Sequence, residues 1–126
     1  MNALRVLIVD DSSVMRKIVS RSLRQAGLEI QEVFEASNGV EALARMQETR
    51  VDLILSDINM PAMDGLELVR QLQAVENAKG VPIVMITTEA GESHVVQALS
   101  SGARGYIRKP FSPDQIRDRI FPLLQG

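Results

Sequence analysis

The sequence predicts an α/β protein built on a doubly wound, five-stranded parallel sheet with helices on both faces. Three observations predict it. Short apolar runs alternate with amphipathic stretches five times along 126 residues. Three of those runs, 4–9, 51–56 and 81–87, are apolar almost throughout, as central strands covered on both faces must be. No linker, low-complexity tract or internal repeat breaks the alternation, so one domain over 1–126 is expected.

The elements follow in order. Leu4 to Val9 reads as a buried strand. Val14, Ile18, Ser22 and Leu23, with Met15, Val19 and Ala26, recur at helical spacing, and Gly27 stops that helix. Ile30 to Ala36 is a weaker strand, polar on one face. Val40, Leu43 and Met46 mark a second helix, and Val51 to Ser56 a strongly apolar strand. Leu66, Val69 and Leu72 mark a third helix, opened by Asp64 with Glu67 three residues on, as in a capping box. Val81 to Thr87 is the fourth strand. Val95, Val96 and Leu99 mark a fourth helix ended by Gly102, and Gly105 to Arg108 is a short last strand. Ser112-Pro113-Asp114-Gln115 supplies a cap, a first-turn proline and a glutamine that reaches back. Ile116, Ile120 and Leu123 continue that helix, but Pro122 clashes with a preceding turn, so it should kink or end near Phe121.

Composition excludes several functions. With no cysteine there is no disulfide, thiolate metal site or cysteine nucleophile. One histidine, His94, rules out a multi-histidine metal centre. A net charge of −2 and sparse aromatics argue against direct nucleic-acid binding. The first apolar run meets Asp10 and Asp11 too soon for a secretory signal, and no stretch suits a membrane span, so a cytoplasmic protein without membrane contact is expected. No glycine-rich phosphate loop follows the first strand.

In an open parallel sheet, ligands gather beyond the carboxyl ends of the strands. Those ends carry Asp10-Asp11, then Asp57 with Asn59 beside it, then Thr87-Thr88, then Lys109-Pro110. If the strands are neighbours, three carboxylates, a hydroxyl and an ammonium converge. Carboxylates so placed repel, and a hard divalent cation relieves this. Oxygen donors without His or Cys point to Mg²⁺, with Mn²⁺ as the alternative. One carboxylate could act as a nucleophile towards phosphorus, with Lys109 spreading the charge and Thr87 bonding a phosphoryl oxygen. Each residue also has a plain structural use. Asp64 is expected to cap a helix only, Asp10 and Asp11 could cap the first helix, and Thr87 and Tyr106 could simply pack. The case for chemistry rests on their joint placement.

At these residues the sequence resembles the receiver domain of bacterial response regulators. The pieces that match are Val9-Asp10-Asp11-Ser12, Ser56 to Gly65, Ile86-Thr87-Thr88 and Lys109-Pro110-Phe111, with fitting spacing over nearly the whole chain. Asp11 to Arg16 and Tyr106 look most like the CheY-like, stand-alone chemotaxis class. That likeness implies a flavodoxin-like sheet of order 2-1-3-4-5, for which this class is itself a standard example. It implies Asp57 as phosphoacceptor, and Asp10, Asp11, Asp57 and the Asn59 backbone carbonyl as Mg²⁺ ligands. It implies Lys109 as the phosphoryl-contacting lysine and Thr87 with Tyr106 as a switch pair. It further implies a cis Lys109-Pro110 bond, and Asn59 and Glu89 as residues that tune dephosphorylation.

The expected function is a two-component switch. A histidine kinase or histidine phosphotransfer protein donates the phosphoryl group to Asp57. The change is then read by a downstream protein on the surface of the fourth helix, fifth strand and fifth helix. A monomer that acts by binding, with no output segment after Gly126, is expected. Arg108, and a fourth helix that begins Gly91-Glu92-Ser93-His94, depart from the family pattern on that surface. Two alternatives stay within signalling: a phosphorelay intermediate, or the receiver of a longer regulator. A phosphohydrolase with an Asp nucleophile would need a general acid where Asn59 stands, so a metabolic enzyme is not expected. A degenerate receiver would lack Asp57, Lys109 or the acidic pair, all of which are present. The first helix carries Arg16, Lys17, Arg21 and Arg24 without an acid, either a solvated face or a dock for an acidic donor or phosphatase.

Overall fold

The computed structural model describes residues 3–88 and 92–124, the side chains of 92 and 93 excepted. The strands are β1 (Leu4–Val9), β2 (Ile30–Ala36), β3 (Leu53–Asp57), β4 (Ile83–Thr87) and β5 (Gly105–Arg108). The helices are α1 (Ser13–Gln25), α2 (Gly39–Glu48), α3 (Gly65–Leu72), α4 (Glu92–Ser101) and α5 (Pro113–Leu124). A 3₁₀ turn, Glu76–Ala78, precedes β4. All strand pairs are parallel and the order is β2-β1-β3-β4-β5. The three most apolar strands are therefore central, as the sequence requires.

Alternate side chains of each strand feed two cores. Leu7, Val9, Ile54 and Met85 pack with Ala42, Met46, Leu68 and Val69 on one face. Val6, Ile8, Leu55 and Ile86 pack with Val19, Leu23, Ile116 and Ile120 on the other. Helices thus cover both faces, and truncating Leu55 or Ile54 to alanine should cost roughly 3 kcal/mol.

Several expectations change in detail. β4 starts at Ile83, two residues later than its apolar run, because Pro82 has no N–H to give a ladder, and β3 starts at Leu53, where its pairing with Val6 begins. Val51 is nonetheless buried. Val14 and Ile18 fall on the exposed side of α1, at 66% and 44% exposure, because Val19, Ser22, Leu23 and Ala26 already fill the buried stripe. Val40, Val96 and Leu99 are likewise exposed. α5 does not end near Phe121 but runs to Leu124 through Pro122. The proline sits in the last turn, and Leu123 and Leu124 still pack on the core beneath. Gly91 lies outside the described residues.

The caps resolve which acids are structural. Asp64 caps α3, accepting from the Glu67 N–H at 2.9 Å. Glu67 does not reach back; its carboxylate takes Arg70 and Gln71 instead. Ser112 and Gln115 form the full reciprocal box at α5. At α2 the Asn38 side chain accepts from the Glu41 N–H, while the Glu41 carboxylate accepts from the Ser37 N–H one residue before the cap, and the hydrogen bonds from Ser37 hold that carboxyl below its ordinary range.

Candidate active site

α1 is capped by neither Asp10 nor Asp11. Ser12 does that work, accepting from the Met15 N–H at 3.1 Å. The acids are thereby left at the end of β1. Because β1 pairs with β3 in the register Val9 to Ser56, Asp57 emerges beside them. Carboxylate oxygens of Asp10, Asp11 and Asp57 lie within 4.8 Å of one another. Asp10 is buried, Asp57 half-buried and Asp11 exposed.

Lys109 arrives from the end of β5, where its N–H donates to the Thr87 carbonyl at 2.9 Å. Its Nζ lies 3.1 Å from Asp10 Oδ2 and 3.7 Å from Asp57 Oδ2. The Lys109–Pro110 peptide bond is cis. Burial raises the Asp57 carboxyl above the ordinary range; Lys109 opposes that, the Asp10 charge adds to it, and the N–H groups of Ile58 and Asn59 oppose it. Asn59, two residues beyond Asp57, is exposed.

Thr87 is buried at the end of β4. Met85 pairs with Tyr106 and Thr87 with Arg108, so Thr87 and Tyr106 share one face of the sheet. Tyr106 is half-buried, packed against the Met85 core, with the Arg119 guanidinium 5.5 Å from its ring centre. Glu89 lies outside the described residues. Asp10, Asp11, Asp57 and Lys109 are therefore brought into one cleft, with Thr87 and the Asn59 backbone beside them.

Two residues of the site were not legible in sequence. Arg16, read there as one of four surface cations, has a side chain only 15% exposed. Its Nη1 donates to the Asp10 carbonyl at 2.6 Å and its Nε to Glu35 at 2.7 Å. Gly65 donates its N–H to the Ile58 carbonyl at 2.7 Å, and a Cβ there would collide with the Asp57 carbonyl. Only a glycine lets α3 start this close to the acid. The Asp64-Gly65 pair in the matching segment is the one sequence signal for it.

The donors suit a hard divalent cation: three oxygen carboxylates, one of them buried and one desolvated, with no nitrogen or sulfur ligand among the described residues. Among the described residues no helix is long and apolar enough to cross a membrane.

Comparison with known proteins identifies the family and the fold. A family model described as the response regulator receiver domain matches residues 6–121. The chain is 42% identical over 120 residues to the chemotaxis protein CheY1 of Helicobacter pylori, covering 93% of this chain and 94% of that one. Among solved structures, the chemotaxis response regulator CheY4 of Vibrio cholerae superposes with a TM-score of 0.84 at 39% identity, covering 98% of this chain and all (100%) of that one. The receiver domain of the sensor histidine kinase PA1611 from Pseudomonas aeruginosa gives 0.85 at 26% identity, covering 99% and 100%. That structure holds a magnesium ion coordinated in its active site cleft.

Proposed function

The chain belongs to the response regulator receiver domain family of two-component signalling, and from that premise we propose that Asp57 is its phosphoacceptor in a chemotaxis-type switch. The observation that carries this reading is the half-buried Asp57 carboxylate, raised in pKa by burial and facing both the Asp10-Asp11 pair and the Lys109 ammonium. Residues 1–126 act as one receiver unit in this reading.

The chemistry follows from these residues. An Asp57 Oδ attacks the phosphorus of a phosphohistidine on a histidine kinase or phosphotransfer protein. The P–N bond breaks and the leaving imidazole takes up a proton. A carboxylate stripped of part of its water is a better nucleophile once ionised. Lys109, now shared between Asp10 and Asp57, moves its charge onto the phosphoryl oxygens, and the Thr87 hydroxyl donates to another. Asp10, Asp11, Asp57 and the Asn59 carbonyl would hold Mg²⁺, or Mn²⁺ in its place, which supplies Lewis-acid neutralisation of the charge on the transferring group. Asn59 and Glu89 set how readily water reverses the reaction. The covalent chemistry stays on the chain's own aspartate, so the protein works as a switch and not as a metabolic enzyme.

The output is a change of surface. Satisfying the new phosphoryl oxygens draws Thr87 inward, and Tyr106, on the same face, follows into the space vacated. The face of α4, β5 and α5 then presents a different shape to a downstream protein. Support comes from exposed Val96 and Leu99 on α4 and from a groove of about 360 Å³ between β5 and α5 lined by Tyr106, Arg108, Gln115 and Arg119. The domain acts as a cytoplasmic monomer in this reading.

Intact mass after incubation with acetyl phosphate tests the proposal. One labile phosphoryl adduct is expected, dependent on Mg²⁺ and absent from Asp57→Asn. An adduct that persists in Asp57→Asn would move the acceptor elsewhere.

A further inference from the structure

We infer that the groove between α1 and the outer edge of β2 is a second docking site, shaped for an extended acidic segment of a partner protein. Charge segregation is the first reason. The whole chain is net −2, yet α1 carries Arg16, Lys17, Arg21 and Arg24 with no acid. Three cations on other elements each pair with an acid three residues away, Glu67–Arg70 at 3.1 Å, Glu76–Lys79 at 3.0 Å and Asp114–Arg117 at 2.9 Å. α1 has no such pair among the described residues. Arg16 alone reaches an acid, Glu35 on β2, while Arg24 donates to the Ser20 hydroxyl.

Shape is the second reason. The four cations, with Val33 and Glu35 of β2, line a groove of about 600 Å³. β2 stands at the end of the sheet and pairs only with β1. Its outer backbone groups are therefore open to another extended chain.

Spacing selects the occupant. Lys17, Arg21 and Arg24 recur on successive helical turns, with Arg16 beside the first of them. Four helical residues rise about 6 Å. Alternate side chains of an extended peptide are about 6.6 Å apart on one side. A peptide with acids at every second position therefore meets a cation at each turn, whereas a single phosphate meets only one turn. The groove lies at the β2 edge of the sheet, at the far end from the β5 edge that carries the α4–β5–α5 face, so both can be occupied together.

Fluorescence anisotropy of a labelled, alternating Glu-Ser peptide added to the full chain tests this. Lys17 and Arg21 are exposed, so Lys17→Glu with Arg21→Glu leaves the core intact. That pair should weaken binding about tenfold or more, and Lys17→Gln with Arg21→Gln by less. Arg50→Glu with Arg70→Glu makes the same change in net charge elsewhere and should leave binding nearly unchanged. Asp57→Asn should bind as the wild type does, which separates this site from the phosphoacceptor reading. Absence of binding, equal weakening by both reversal pairs, or tighter binding of a single-stranded oligonucleotide of equal charge would each overturn it.

Discussion

Asp10 and Asp57 stand at the ends of adjacent strands, yet the molecule holds them in different ways. Asp10 is tied at every polar group. Its N–H donates to Ala36 at 3.0 Å, its carbonyl accepts from Arg16 at 2.6 Å, and its carboxylate takes Ser12 N–H at 2.9 Å and Lys109 at 3.1 Å. Asp57 has the Ile58 N–H at 2.8 Å and a longer approach to Lys109, 3.7 Å. Burial dominates what remains and raises its pKa. The difference is a division of labour. The fixed carboxylate is suited to hold charge in place, and the less satisfied one to react.

Exchanging the two roles should produce the largest effect. Asp57→Asn should abolish phosphoryl transfer altogether, whereas Asp10→Asn should slow it about a hundredfold while the adduct still forms on Asp57, as intact mass and peptide mapping would show. Equal loss in both variants would erase the distinction. Lys109 touches both acids, so Lys109→Ala should also cost about a hundredfold in the rate of modification by acetyl phosphate.

A smaller effect is expected from the support of Asp10. Arg16→Ala should weaken Mg²⁺ affinity about tenfold by calorimetry, since partners behind a metal ligand typically contribute that much. An unchanged affinity would show that the carbonyl tie does not position the carboxylate. On the Asp57 side the support is steric. Gly65→Ala should cost about 3 kcal/mol in urea unfolding, because the backbone carbonyl it would meet cannot step aside.

The smallest effect sharpens the comparison through pH. Burial raises Asp57 above its ordinary value of 3.8, so the folded chain binds this proton more tightly than the unfolded one. The stability it contributes is complete below the unfolded value and is lost as pH rises through the folded one. In the absence of divalent metal, Asp57→Asn should therefore melt higher than wild type at neutral pH, and the gap should close as pH falls below about 4.

Much of this was legible in the sequence. Apolar runs 4–9, 51–56 and 81–87 identify the central strands because burial on both faces leaves no room for polar residues. Asp10, Asp11, Asp57 and Lys109 could be placed together because parallel strands present their ends on one side. Arg16 could not. Its partners, the Asp10 carbonyl and Glu35, are set by how α1 packs and by the pairing of Val9 with Ala36, which no local pattern encodes. Val14 and Ile18 misled for a related reason: helical spacing identifies an apolar stripe but not which of two overlapping stripes meets the core. Pro122 broke a local rule and lost to the packing of Leu123 and Leu124.

The division between the two carboxylates is tested most directly by following the side-chain carboxyl carbons of Asp10 and Asp57 by NMR as pH is varied, with and without Mg²⁺. The account predicts that Asp57 titrates above the ordinary aspartate range in metal-free protein and drops when Mg²⁺ is added. An Asp57 that titrates at or below 3.8 without metal, or that does not respond to Mg²⁺, would contradict it.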